Sequence, residues 1–331
     1  AHRALDRDPL GYTELSELRE RIVAFYAATH GVDVDIDRVL LTAGASAALV
    51  AAYAAMFRPG DRVALLRPGY PAYRNTLAAL RLEPVEIHCG PEQEFHPTPA
   101  QLEALSPTPQ GFVIASPANP TGAMLDSRQL GALLTTCRAR GIQVISDEIY
   151  HGISFGKRAV SALELDSRAV VINSFSKLYR MPGWRLGWMI VPRDWAAQIH
   201  SYLINMFLTP STLAQHAAIA AMDEHEDLEH WVRIYERNRT RLIEGLAALG
   251  ITHIVPPDGA FYLYADIGHL TQDSMQFCLR AVDETGVGLA PGIDFDPVEG
   301  HRFVRFSFAV TPGEIEQALE RLADWLPHYR E

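Results

Sequence analysis

Up to Pro192, short unbroken apolar runs alternate with stretches of helical periodicity. Leu15, Leu18, Ile22 and Phe25 fall on one face of a helix predicted over residues 15–28, which Gly31 ends. Val39-Leu40-Leu41-Thr42 reads as a strand, after which Gly44-Ala45-Ser46 opens an alanine-rich helix reaching about Phe57. Pro59-Gly60-Asp61 turns the chain into a strand over residues 62–66, and another helix follows Pro68-Gly69-Tyr70-Pro71. Further strands are predicted over 82–88, 112–115, 142–145, 169–172 and 187–191, with a helix over 130–140. Runs this short and this continuously apolar suit strands buried on both faces. The pattern therefore predicts an α/β fold, a three-layer αβα arrangement around a mostly parallel sheet.

Past Pro192 the character changes. Helices dominate from residue 195 to 249, including a long charged one around residues 229–246. Short strands over 251–255, 261–266, 287–290 and 303–308 then mix with helices, the last over residues 311–325. This mixture predicts a smaller α+β domain. The expected division is residues 30–222 for the large domain, and 1–29 with 223–331 for the small one.

The 331 residues, 48% of them hydrophobic, are enough for two cores. A net charge of −11 and a pI near 5.6 argue against the basic surface that a nucleic-acid partner requires. No apolar run approaches the ~20 residues of a membrane span, and nothing at the start reads as a signal peptide. Cys89, Cys137 and Cys278 are few and widely spaced, which suits reduced thiols in a cytoplasm better than a disulfide framework. The opening nine residues read as the tail of a helix already under way, so the chain is expected to be a trimmed form of a longer one.

Gly44, Asn119, Asp147 and Lys177 each follow a predicted strand. Four strands thus deliver them to one sheet edge, the edge where open parallel sheets bind ligands. A lysine at the mouth of a buried strand is a candidate amine nucleophile, because apolar surroundings lower an ammonium pKa. Ser174, Ser176 and Arg185 supply donors for a dianionic phosphate beside it, and Gly44-Ala45-Ser46 adds a helix N-terminus. A Schiff-base amine next to a phosphate socket is what pyridoxal phosphate requires. Taken singly, these signals stay open. Ser174-x-Ser176-Lys177 is equally a strand end with a solvated lysine, Asp147 a capping residue, and Asn119 a turn residue before proline. Tyr70 is equally a core tyrosine, and Arg305 a solvent-facing strand arginine. Gly286-Val-Gly288-Leu-Ala-Pro-Gly292 lacks the spacing of a dinucleotide fingerprint. His225 and Glu229 read as a solvated helix start rather than a metal pair, and no metal is expected.

Ser116-Pro-Ala-Asn119-Pro-Thr-Gly122, Asp147-Glu-Ile-Tyr150, Ser174-Phe-Ser176-Lys177 and Gly183-Trp-Arg185-Leu-Gly187 occur in that order. Together they resemble the signature of the class I/II aminotransferases, fold-type I pyridoxal-phosphate enzymes like aspartate aminotransferase. The resemblance runs from about Tyr12 to about Arg305. It implies that Lys177 carries the cofactor as a Schiff base and serves as general base and then acid. Asp147 would pair with the pyridine nitrogen, Asn119 and Tyr150 would hydrogen-bond the phenolic oxygen, and Tyr70 would stack on the ring. The backbone of Ala45 and Ser46, the hydroxyls of Ser174 and Ser176, and Arg185 would hold the phosphate. Tyr12 resembles the tyrosine that completes this socket from the partner subunit, although the stretch from it to Arg19 is shorter than usual and lacks the usual glycine.

Arg305, with Asn119, would clamp the substrate α-carboxylate. The implied activity is ping-pong amino transfer from an L-amino acid to a 2-oxo acid, by a cytoplasmic homodimer with its sites at the interface. Tens of residues are implied ahead of Ala1. Tyr70, Tyr150 and Tyr179 are aromatic candidates near the substrate, while Asp294 and Asp296 are open between facing it and making a turn. Two alternatives reuse the fold: a carbon–sulfur β-lyase, and the pyridoxal-phosphate-binding effector domain of a transcription regulator. Gly183-Trp-Arg-Leu-Gly187 favours the aminotransferase over the first, and the catalytic set with the acidic charge favours it over the second.

Overall fold

The computed structural model describes residues 2–7 and 10–330. Its larger sheet contains β1 (Val39–Thr42), β2 (Arg62–Arg67), β3 (Glu83–His88), β4 (Gly111–Ala115), β5 (Gln143–Asp147), β6 (Val170–Ser174) and β7 (Gly187–Ile190). The strand order is β1-β7-β6-β5-β4-β2-β3. Only β7 runs against its neighbours, pairing antiparallel with both β1 and β6. The mostly parallel sheet read from the sequence is therefore present, with one reversed strand.

Helices α1 (His2–Arg7), α2 (Ser16–His30), α3 (Ala45–Met56), α4 (Pro71–Ala79), α5 (Pro99–Glu103), α6 (Ser127–Arg140), α7 (Arg193–Phe207) and α8 (Thr212–Ala221) accompany this sheet. One face is covered by α2, α6 and α8 through Ile22, Tyr26, Leu133, Leu134 and Ala218. The other is covered by α3, α4 and α7 through Leu49, Tyr53, Leu77, Ile199 and Leu203. Alternate strand residues feed the two layers: Phe112 and Ile114 face one, Val113 the other. Burial on both faces is why these strands read as unbroken apolar runs. Helix α2, grouped with the small domain from sequence, buries Leu18, Ile22 and Tyr26 against the large sheet.

The second sheet has strand order β8-β10-β9, from β8 (Tyr262–Asp266), β9 (Ala290–Pro291) and β10 (Phe303–Ser307), all antiparallel. Helices α9 (His225–Ala248), α10 (Ser274–Thr285) and α11 (Pro312–Trp325) close its core through Leu242, Leu246, Phe277, Leu319 and Leu322. Residues 251–255, predicted as a strand, form none: Ile254 makes a single bridge to Ala265. Pro256 and Pro257 follow at once and have no N–H to extend a ladder.

The turn 292–296 joins the second sheet to the mouth of the first. Arg67, the last residue of β2, reaches Asp296 at 2.7 Å, and Gly69 N–H donates to the Phe295 carbonyl at 3.1 Å. Asp296 is buried and also accepts the N–H groups of Val298 and Glu299. Asp294 and Asp296 thus act in the turn, one exposed and one paired. Without Asp296, Arg67 loses its closest partner and keeps only Glu86 at 3.7 Å, and the Val298 and Glu299 N–H groups lose their acceptor. Asp296→Ala is expected to lower unfolding free energy by about 3 kcal/mol, read as a shifted urea midpoint. A midpoint equal to that of the unsubstituted protein would contradict this account of the turn.

Candidate active site

The carboxyl ends of β1, β4, β5 and β6 lie on one edge of the large sheet, and β7, being reversed, starts there. The loops at these ends bring Ser46, Asn119, Asp147, Tyr150, Ser176, Lys177 and Arg185 around a cavity of about 250 Å³. Tyr70 and Tyr73 enter from the start of α4, and Tyr262 and Arg305 from the second sheet. A larger open hollow of about 530 Å³, lined by Arg38, Arg168, Arg193 and Trp195, lies at the opposite strand ends and holds none of these residues.

One end of the cavity is built for an anion. Gly44 opens α3 at φ +86° with no side-chain cap, so the N–H groups of Ala45 and Ser46 face outward at the positive helix end. A Cβ on Gly44 would stand 2.6 Å from Arg185 Nη2, so only glycine lets the guanidinium close on this helix end. Arg185 itself is held by a 2.8 Å bond from Nη1 to the Pro182 carbonyl. Ser176 lines the cavity, whereas Ser174 sits behind it. Ser174 Oγ lies 2.9 Å from Ser176 Oγ and 3.0 Å from the Leu186 carbonyl. Its hydroxyl is thus placed to orient Ser176 rather than to meet a ligand.

Lys177 stands at the centre, with Nζ 5.7 Å from the ring centroids of both Tyr150 and Phe261. The sequence holds one other lysine, Lys157, which is exposed and paired to Asp258 at 2.9 Å. Among the described residues, Lys177 has no such partner. Burial pulls its ammonium below the ordinary value, and Arg305 and Arg185 add to the effect while Asp147 opposes it. Asp147 is buried at the end of β5, which pushes its carboxyl up. The Tyr73 hydroxyl, donating at 2.6 Å, and the Ile149 N–H, donating at 3.1 Å, act against that rise.

Arg305 lies mid-strand in β10, paired with Tyr264 on one side and Ala290 on the other. Its guanidinium rests between the rings of Tyr262 (4.2 Å) and Phe295 (4.8 Å), and Nη1 donates to Asn119 Oδ1 at 2.9 Å. Arg305 Nε is buried without a partner. The Tyr150 and Tyr262 hydroxyls meet at 3.1 Å, and burial raises both phenols.

Tyr12 is 82% exposed and lies outside the cavity wall. Tyr179 packs on Phe175 in the sheet core instead of facing the site. Tyr73, Tyr262 and Phe295 were not read from the sequence. Tyr73 carried a signal, since it lies three residues after Tyr70 in a predicted helix. Tyr262 and Phe295 carried none, because their approach to Arg305 depends on sheet register and on the 292–296 turn.

Tyr73→Phe would leave Asp147 Oδ2 without its donor, so the buried ionised carboxylate loses support. The carboxyl's already raised pKa then rises further, and the penalty applies where it is ionised and fades as pH falls. The cofactor-free variant is expected to be about 1–3 kcal/mol less stable at pH 8, with a smaller deficit at pH 5. Denaturant titrations at both pH values check this, and a deficit that grows toward pH 5 would contradict it.

Residues 6–322 match the family model described as aminotransferase class I and II. The chain is 44% identical to the valine–pyruvate aminotransferase of Mycobacterium tuberculosis, over 99% of this chain and 86% of the relative. It is 31% identical to the aspartate/prephenate aminotransferase of Thermus thermophilus, over 98% and 85%. A crystal structure of an aminotransferase from Mycobacterium tuberculosis superposes at a TM-score of 0.96, with 43% identity, over 99% of this chain and 87% of that one. These groups fit pyridoxal phosphate: an anion cradle that a Cβ at Gly44 would fill, a half-buried amine without an ion-pair partner among the described residues, a buried carboxylate, and tyrosine hydroxyls. The chain belongs to the class I and II aminotransferases, fold-type I enzymes that carry pyridoxal phosphate on a lysine and move amino groups between amino acids and 2-oxo acids.

Proposed function

We propose that Lys177 is the lysine that carries the cofactor, and that the enzyme moves the amino group of a small neutral amino acid, of the valine or alanine kind, to a 2-oxo acid. The observation that carries this reading is the buried amine without a carboxylate partner, set between Arg305 and Arg185 and opposite Asp147. Pyridoxal phosphate supplies the electron sink and the nitrogen carrier. Arg185, the α3 N-terminus and Ser176 hold its phosphate, with Ser174 orienting Ser176. Asp147, supported by Tyr73, faces its ring nitrogen, and Tyr70 covers the ring.

Asn119 gives its Oδ1 to Arg305, which leaves its Nδ2 to donate, with the Tyr150 hydroxyl, toward the phenolic oxygen. Arg305 binds the substrate α-carboxylate through its planar fork, fixed by Tyr262 and Phe295. Lys177 Nζ, whose ammonium burial and the two arginines disfavour, takes the α-proton, holds it and later returns it.

The side-chain reading rests on the first relative's name and on the cavity wall. Its cationic side chains are Lys177, Arg185 and Arg305, each already engaged, and Leu49 and Ile149 add apolar surface. We also propose a cytoplasmic homodimer, in which Tyr12 reaches the partner's phosphate socket. Exposed Tyr12, Trp184, Met206 and Leu208 support an interface, and three buried, unbridged cysteines suit a reducing compartment.

The test is to incubate the enzyme with pyruvate and single amino acids, and to quantify products by mass spectrometry. Valine is expected to give its 2-oxo acid and alanine in equal amounts. Faster turnover of aspartate would overturn the side-chain reading, and net release of pyruvate and ammonia from a β-substituted amino acid would favour the lyase. Arg305→Lys loses the bidentate fork, so KM for both amino and oxo acid should rise about 10–100-fold, with pyridoxal-phosphate affinity unchanged. An unchanged KM would remove Arg305 from the carboxylate site.

A further inference from the structure

Next to Asp147 lies a second buried set of titratable groups that does not line the cavity. Glu148 is 1% exposed and His151 3%. Glu148 Oε1 accepts three hydrogen bonds: from Ser146 Oγ at 3.2 Å, Ser161 Oγ at 3.0 Å and the Ala162 N–H at 2.8 Å. His151 Nε2 lies 3.0 Å from the Ser116 carbonyl. A carbonyl only accepts, so Nε2 carries a hydrogen and Nδ1 is the other, open nitrogen. The atoms left over are Glu148 Oε2 and His151 Nδ1. Each is buried without a hydrogen-bond partner, and the two lie 3.4 Å apart.

Two bare lone pairs at that distance repel, whereas one proton between them makes a bond. We propose that Glu148 and His151 share a single buried proton, and that this pair is a positioning device for the reaction. It ties the loop Ser116–Asn119 to the turn Asp147–Tyr150, and so sets Asn119 and Tyr150 relative to each other. The inference rests on the roles proposed above for those two residues, but its first readout does not.

The surroundings favour one proton on the acid and a neutral ring. Burial pushes the Glu148 carboxyl up to about 7 and the His151 ring down to about 4. Facing the pair from α2 are His30, whose ring lies 5.4 Å from that of His151, and Tyr26; from residues 158–164 come Arg158 and Glu164, which hold His30. Burial also pulls His30 down, while Glu164 and Glu148 oppose that fall.

The arrangement has a signature in stability against pH. Between the ordinary values of 4.5 for the acid and 6.5 for the ring, the unfolded chain also holds one proton, on the ring. Folding then moves a proton from His151 to Glu148 without net uptake, and the pair is silent. Single substitutions break the balance in opposite directions. Glu148→Gln supplies its own N–H to Nδ1 and keeps His151 neutral when folded. The unfolded ring still gains a proton below 6.5, so stability relative to the unsubstituted enzyme falls as pH drops. His151→Leu leaves the raised Glu148, protonated when folded and ionised when unfolded, so its relative stability falls as pH rises from 4.5 toward 7.

Urea unfolding of the holoenzyme and both variants, from pH 4.5 to 7 at fixed saturating pyridoxal phosphate, reads these slopes. The unfolding constants relative to the unsubstituted enzyme should change up to about tenfold per pH unit, with opposite signs. The pH midpoint of the cofactor's visible band should shift in His151→Leu, which cuts the bond to Ser116, and stay in place in Glu148→Gln. Slopes of one sign or flat slopes would overturn the shared proton, and an unshifted band in His151→Leu would overturn the positioning role. If His151→Leu does not fold, Glu148→Gln decides alone: a flat relative stability between pH 6.5 and 4.5 rejects the shared proton, and a fall toward low pH supports it. Normal slopes with an unshifted band would reject only the positioning role, leaving the proposed functions of Asn119 and Tyr150 intact.

Discussion

Everything at this site depends on the desolvation of one amine. Lys177 is drawn from water beside two arginines and rings, and among the described residues no carboxylate forms an ion pair with it, although Asp147 opposes the shift. A partly buried ammonium in that setting is disfavoured relative to the free amine, the form that acts as nucleophile. Lys157 shows the contrast: exposed and paired to Asp258, it is a surface charge. The fold must hold Arg185 and Arg305 near Lys177, where their charges disfavour its ammonium, and keep Asp147 from pairing with it. It does so by occupying each with other atoms: Pro182 for Arg185, Asn119 and two rings for Arg305, Tyr73 and Ile149 for Asp147.

Two sheets share the work. The parallel sheet aligns strand ends, so side chains from separate loops meet without long reaches. The reversed β7 lets Gly187 begin at the same edge, where a Cβ would strike the Asn173 carbonyl at 2.7 Å and Gly44 at 3.2 Å. Backbone contact of that closeness places Arg185 over the α3 N-terminus. The antiparallel sheet contributes Arg305 and Tyr262 from paired strands, and the Arg67–Asp296 ion pair holds its turn against β2.

Much of this was legible in the chain. Continuous apolar runs announced strands buried on both faces, and the residues after them marked the functional edge. Gly44, Asn119, Asp147 and Lys177 stood out that way, and the family resemblance added Tyr150 and the roles of Ala45, Ser46, Ser176 and Arg185; all but Gly44 line one cavity. What sequence hid is set by long-range geometry. The path of Arg305 between Tyr262 and Phe295 requires the β8–β10 register, which alternation alone does not fix. Ser174 looked equivalent to Ser176, yet β6 ends at Ser174 and the chain turns after it, which leaves Ser174 buried and Ser176 in the cavity wall. The strand expected over 251–255 failed because two prolines follow it. Glu148 stood inside a motif and His151 just after it without a role of its own, and only the fold brings their open atoms together.

The most direct measurement of the central claim is to reduce the holoenzyme with borohydride, digest it and locate the pyridoxyl group by mass spectrometry. With two lysines in the sequence the outcome is clear-cut. The account predicts one label per chain, on Lys177, with Lys157 unmodified. A label on Lys157 alone, or none after reconstitution with pyridoxal phosphate, would contradict it.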